Sequence, residues 1–199
     1  MTGAVGSRVL ALALALGAAA AAPTLAQTGT IQGKVEATPA KYLEETVVYV
    51  KQAPGASTPK TLSMDQKGLK FIPHVLVVTK GDTVKFLNHD TVAHNVYSPD
   101  VDPYNLGTFK TGEERSHTFA KEGAYSQLCS IHPEMLGYIY ANQNPYAAAV
   151  DAKGSYVIKG VPPGSYKLAV WNAHDLKAPE KSVTVTPGKP VVEDFSIKR

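Results

Sequence analysis

Cys129-Ser130-Ile131-His132-Pro133-Glu134-Met135 places a thiol, an imidazole and a thioether at even spacing in one short stretch. Cys129 is the only cysteine among the 199 residues. One tight loop can turn all three groups toward a common point, and soft sulfur combined with imidazole suits copper. Two histidines and a cysteine in a trigonal plane, with a weak axial methionine, make a blue-copper site, so a second histidine has to come from elsewhere. His94, in Asp90-Thr91-Val92-Ala93-His94-Asn95-Val96-Tyr97, is the candidate. Alone the pattern is weak, because a single cysteine commonly behaves as a small buried hydrophobe and methionine fills cores. Its surroundings strengthen it: Phe86-Leu87-Asn88 ends an alternating strand, His94-Asn95 follows on the next segment, and Gly137-Tyr138-Ile139-Tyr140 reads as another strand.

With these residues in place, the chain resembles the cupredoxins over roughly residues 61–143. The loop, with two residues between Cys129 and His132 and two between His132 and Met135, is most similar to that of the amicyanins. The resemblance implies a Greek-key β-sandwich that holds one type 1 copper through His94, Cys129, His132 and Met135. It also implies that Asn95 pins the upstream ligand strand to the cysteine loop by hydrogen bonds near the sulfur; a turn asparagine is the plainer alternative. Pro133 matches the amicyanin-like loop and would stiffen it, since proline fixes φ. Ile131 and Glu134 depart from that loop, which usually has a proline before the histidine and an apolar or aromatic residue in place of Glu134. Potential and partner preference therefore do not carry over. By resemblance His132 is the electron port, showing its edge to solvent through a patch of Pro133, Leu136 and Pro99. The implied function is one-electron transfer, with a c-type cytochrome, a periplasmic dehydrogenase or reductase, or another copper protein as partner.

The start of the chain reads as a targeting segment. Arg8 is the only charge before Lys34, the run 9–22 is unbroken Ala, Leu, Val and Gly, and Thr24-Leu25-Ala26 offers the small residues of a cleavage site. Residues 1–26 are expected to be a signal peptide cleaved after Ala26, since the apolar run falls short of the ~20 residues that span a bilayer. The mature chain is then periplasmic or secreted, without an integral membrane span. In an oxidising compartment a single cysteine has no internal disulfide partner, and metal ligation gives it a purpose. With 20 Lys and Arg against 17 Asp and Glu and no basic cluster, the charge balance argues against a nucleic-acid partner.

The rest reads as strand and turn, without a sustained helical period. Residues 30–35, 46–50, 75–78, 83–86, 138–140, 155–158, 166–171, 182–185 and 191–197 are β-rich, with turn signals such as Lys80-Gly81-Asp82 and Pro162-Pro163-Gly164 between them. The expected fold class is all-β, with two sandwiches. Asp151 to Ile158 followed by Val161 to Val170 resembles the later half of the carboxypeptidase regulatory-like, transthyretin-like sandwich; Ile31-Gln32-Gly33-Lys34-Val35 and Val47 to Val50 resemble its earlier half. The expected layout is therefore residues 28–55 and 145–199 as one small sandwich, with the copper domain, 61–143, inserted through crossings at 54–59 and 142–146. An arm, a copper domain and a sandwich in series is the competing layout.

His74, His89, His117 and His174 read as scattered surface or loop residues, and Met64 as a poor axial candidate. Trp171, Tyr156 and Tyr166 offer faces for a sugar, although alternating strand aromatics are more often core. The reading is not that of an enzyme: six histidines without an H-x-H pair do not furnish a trinuclear copper cluster, and a copper nitrite reductase needs a further three-histidine site, for which four spare histidines remain but nothing in the sequence groups them. The alternative is a periplasmic copper-binding or delivery protein, which would be expected to carry methionine-rich or histidine-rich tracts.

Overall fold

The computed structural model describes residues 1–3, 27–54 and 57–199; the expected signal peptide, apart from its first three residues, lies outside these. Among the described residues, seventeen strands, β1 (Gly29–Ala37), β2 (Thr46–Val50), β3 (Thr61–Gln66), β4 (Phe71–Ile72), β5 (Val75–Thr79), β6 (Thr83–Asn88), β7 (His94–Ser98), β8 (Tyr104–Phe109), β9 (Glu114–Thr118), β10 (Gly123–Leu128), β11 (Leu136–Asn142), β12 (Ala147–Ala149), β13 (Ser155–Val161), β14 (Gly164–Asn172), β15 (Lys181–Val185), β16 (Pro190–Val192) and β17 (Phe195–Ile197), follow one another with a single 3-10 turn at Ala40–Glu45. The architecture is all-β and built of paired sheets.

In the first sandwich the sheet β5-β11-β10-β7-β8 faces the sheet β4-β3-β6-β9. Strand alternation explains the packing: Val84, Phe86 and Asn88 of β6 point inward while Thr83, Lys85 and Leu87 are only partly covered. Phe86, Phe109, Phe119, Tyr125 and Ile139 fill this core, and Met64, Cys129 and Met135 belong to the same buried cluster. Met64 is thus core, at the centre of β3. Gly137 lets β11 pass close to the opposite sheet, since a Cβ there would meet the Phe71 Cβ at 2.8 Å.

In the second sandwich β1 pairs with β13, β16 and β17, and the facing sheet has the order β12-β2-β14-β15. Strands from the two ends of the chain thereby share both sheets around Ile31, Val48, Ile158, Leu168 and Phe195. The expected single strand 191–197 is two short strands: Glu193 and Asp194 break it, and the Asp194 carboxylate accepts Lys34 N–H at 2.7 Å in place of a ladder bond.

The two sandwiches join through β11, which is buried on both faces. Ile139 and Ala141 enter the first core, whereas Tyr138 and Tyr140 point the other way onto Val47, Val75 and Trp171. Trp171 lies 5.3 Å from Tyr140 and 5.7 Å from Tyr138, ring centre to ring centre. Asn144 Nδ2 donates to Val50 O at 2.9 Å across the crossing. Glu45 accepts from His74 at 2.9 Å and also pairs with His174, so these two histidines, read as scattered loop residues, flank one carboxylate. Tyr156 and Tyr166 are buried, and Trp171 is occupied by the seam. The sugar-stacking role considered for these three aromatics has no exposed platform here.

Candidate metal centre

The ligand loop begins where β10 ends. Leu128 pairs with Tyr97 of β7 on one side and Leu136 of β11 on the other, which places Cys129 beside the start of β7, where His94 stands. The loop then turns back on itself: Met135 N–H donates to His132 O at 3.0 Å, and β11 starts at the next residue. The even spacing of Cys129, His132 and Met135 thus comes from one closed turn between two neighbouring strands.

His94 Nδ1 and His132 Nδ1 are 3.1 Å apart, and Cys129 Sγ is 3.8 Å from His132 Nδ1. The three donor atoms all lie within 4.8 Å of one another. A metal bonded at about 2.0–2.3 Å to three donors in a plane spaces them roughly 3.5–4 Å apart, so the set fits one ion. His94 and Cys129 are buried, and His132 is half-buried. Met135, 1 % exposed, shares the cluster that holds Cys129, which gives the fourth expected residue an apolar setting.

Hydrogen bonds hold this arrangement from outside. Asn95 N–H donates to Cys129 Sγ at 3.3 Å, and its side-chain Oδ1 accepts Ser130 N–H at 3.3 Å. Its Nδ2 donates to Asn105 Oδ1 on β8 at 2.9 Å. Asn95 is 3 % exposed and bridges three segments. The loop before β7 is fixed by Asn88, whose Nδ2 donates to Val92 O at 2.9 Å and Phe109 O at 3.1 Å. On the far side of His94, Nε2 meets Asp90 Oδ2 at 3.0 Å. Backbone N–H groups of Leu69 and Thr91, and then His94, hold the Asp90 carboxyl well below the usual range, at about 2. Asp90 did not stand out in the sequence; an acid four residues before a candidate ligand was the available signal.

At the surface of this end, Ile131 and Leu136 are exposed beside His132, and Pro133 and Glu134 are exposed with them. Leu69 and Val92 add apolar surface on the turns tied to Asp90 and Asn88. Pro99 is not part of this patch. It follows β7 at the end away from His94, next to Asp100, whose carboxylate accepts Ser126 N–H at 2.6 Å below the ligand loop. The remaining histidines lie elsewhere: His89 pairs with Asp65 at 3.0 Å, and His117 stacks on Tyr104 at 3.8 Å.

Residues 59–142 match the sequence model of copper binding proteins of the plastocyanin/azurin family. Residues 121–192 match that of polysaccharide lyase family 4, domain II, which differs from the carboxypeptidase regulatory-like family expected for the chain ends and overlaps the first match. Among solved structures, the purple cupredoxin of Nitrosopumilus maritimus is 28 % identical over 41 % of this chain and 99 % of its own length, with a TM-score of 0.39. The copper-containing nitrite reductase of Thermus scotoductus is 30 % identical over 48 % of this chain, with a TM-score of 0.41; the match spans 25 % of that enzyme. Amicyanin of Paracoccus versutus is 19 % identical over 48 % of this chain and 97 % of its own, with a TM-score of 0.39. Residues 59–142 thus carry both the sequence match to the plastocyanin/azurin family of copper-binding proteins and the His94, Cys129 and His132 donor set.

Proposed function

We propose that this protein is an exported one-electron carrier holding one type 1 copper through His94, Cys129, His132 and Met135. The observation that carries the reading is the convergence of the His94, Cys129 and His132 donor atoms within 4.8 Å, with Met135 buried in the cluster that holds Cys129. Copper held by such a set would supply a Cu(I)/Cu(II) couple. The chain's own contribution is to keep the donors in place during that change. Asn95 bolts the His94 strand to the cysteine loop, Asn88 holds the preceding turn, and the Asn95 N–H donates to Sγ.

His132 is the port by which electrons enter and leave. It is the half-covered member of the donor set, and Ile131, Pro133 and Leu136 around it form an apolar rim suited to a small, short-lived contact. Glu134 adds a carboxylate to that rim, which favours a partner with a basic or neutral face. A c-type cytochrome or a periplasmic dehydrogenase or reductase has the redox chemistry required. We read the protein as a carrier and not a catalyst, because a one-electron couple is what such a donor set supplies. Among the described residues, no helix is long and apolar enough to cross a membrane.

The copper domain is best counted as an insertion, residues 61–143, into a sandwich made of 28–55 and 145–199. Pairing of β1 with β13 and of β2 with β12 and β14 supports this division. The sandwich then serves as a rigid mount, since the seam on Tyr138, Tyr140 and Trp171 fixes the back of β11.

The test is a visible and electron paramagnetic resonance spectrum of the mature protein loaded with Cu(II), then reduced with ascorbate. An intense thiolate-to-copper band with small hyperfine splitting, bleaching on reduction and absent from Cys129→Ser, is expected. A pale spectrum typical of nitrogen and oxygen ligands overturns the carrier reading in favour of copper binding or delivery.

A further inference from the structure

The contact between His94 and Asp90 is built more firmly than a chance surface pair. The His94 side chain is fully buried and that of Asp90 is 11 % exposed, with Nε2 to Oδ2 at 3.0 Å. The carboxylate is itself clamped: Oδ2 accepts Leu69 N–H at 2.8 Å, and Oδ1 accepts Thr91 N–H at 2.8 Å. Asp90 N–H in turn donates to Asn88 Oδ1 at 3.0 Å, and Asn88 is anchored on Phe109 O. Three segments, the turn between β3 and β4, the β6–β7 loop and β8, thereby fix one carboxylate against the ring of a candidate ligand.

An oxygen that already accepts a backbone N–H meets Nε2 as an acceptor, so Nε2 carries the proton. The lone pair of His94 is then on Nδ1, the atom that faces His132 and Cys129. We propose that Asp90 is a positioning residue for His94: its carboxylate fixes the proton on Nε2, aims Nδ1 into the donor set and strengthens that nitrogen as a donor, biasing the site toward Cu(II). The inference rests on the copper reading above. The bias follows from Coulomb's law, because a negative charge behind the ring interacts about twice as strongly with a +2 ion as with a +1 ion at the same place. Outer carboxylates on metal-binding histidines act in this way, and losing one typically costs 10–100-fold in metal affinity.

In the metal-free chain the same constraint settles the other pair. With the His94 proton on Nε2, the 3.1 Å contact between the two Nδ1 atoms is a hydrogen bond donated by His132 and accepted by His94. A metal held at His132 Nδ1 would require that proton to pass, through solvent, to Nε2 of the same ring, whereas the His94 lone pair would already face the donor set.

The test has two arms on the full mature chain. Nitrogen-15 NMR of the metal-free wild type should show His94 as the neutral tautomer protonated at Nε2; protonation at Nδ1 alone would overturn the assignment without any variant having to fold. Next, Cu(II) and Cu(I) affinities are measured separately by competition with chelators for wild type, Asp90→Asn and the control Asp65→Asn, whose carboxylate pairs with His89 instead. Asp90→Asn should weaken Cu(II) by about tenfold or more and Cu(I) by less, each tenfold change in their ratio raising the reduction potential by about 59 mV. The control should match wild type. An unchanged Cu(II)/Cu(I) ratio in a blue Asp90→Asn variant sinks the role of Asp90. A wild type that shows no blue band sinks the copper reading instead, while the tautomer measurement still judges the Asp90 contact.

Discussion

Replacing Asn95 by alanine removes a side chain that bolts the His94 strand to the cysteine loop. The backbone N–H of residue 95 stays, so its 3.3 Å contact to Cys129 Sγ survives. What is lost is the 3.3 Å bond from Ser130 N–H and the 2.9 Å bond to Asn105 Oδ1. Ser130 and Asn105 are exposed, so water takes over part of both bonds, and each is worth about 0.5–1 kcal/mol. The expected loss in the metal-free protein is therefore roughly 1–2 kcal/mol, or about 2–8 °C in melting temperature for a chain of this size. The assay is urea and thermal unfolding followed by circular dichroism, with and without copper. Asn105→Ala serves as a second probe: it removes the bond from Asn95 Nδ2 and also the 2.9 Å bond from Gly107 N–H, but leaves the Ser130 bond, so copper affinity should change less than in Asn95→Ala. A loss under about 0.3 kcal/mol for Asn95→Ala, with unchanged copper affinity, would refute the bolt and leave Asn95 as a turn residue.

Met135→Leu should retain copper and raise the reduction potential, measured by voltammetry; loss of copper binding would mean that Met135 does more than a weak axial ligand. Glu45→Gln should loosen the seam, since His74 and His174 lose their shared carboxylate. A loss of roughly 1–2 kcal/mol in urea unfolding is expected, and none would mark the pairs as ornamental. His117 is half-buried against Tyr104 with Nε2 unpartnered, and burial lowers its proton affinity below that of a free ring. The unfolded chain therefore binds its proton near pH 6.5 and the folded chain only lower, so stability falls as pH drops through that window. His117→Phe should flatten that part of the stability profile, and an unchanged slope between pH 7 and 5 would count against this cause.

Much of this was legible in the chain because it is local. The spacing of Cys129, His132 and Met135 is a property of one turn closed by Met135 N–H and His132 O, and strands such as β6 announce themselves by strict alternation. Other strands were silent for physical reasons. Strand β9, Glu114–Thr118, is a polar sheet edge, and β3 buries Met64 and Gln66 while leaving Thr61 and Ser63 exposed, so neither shows a clean apolar period. Glu193 and Asp194 sit within an otherwise β-like run, and only the pairing of β16 and β17 with β1 shows where it breaks.

The sequence by itself determined which side chains are available to hold a soft metal, and that all-β sheets carry them. Only the tertiary structure decided how they meet. That His94 faces Cys129 depends on the pairing of β7 with β10, and that Asp90 stands behind His94 depends on a turn fixed by Asn88 and Leu69. The joining of His74, Glu45 and His174 needs three segments far apart in the chain. Such contacts are absent from any local pattern, because their distances are set by the packing of whole sheets and not by the spacing of residues along one strand.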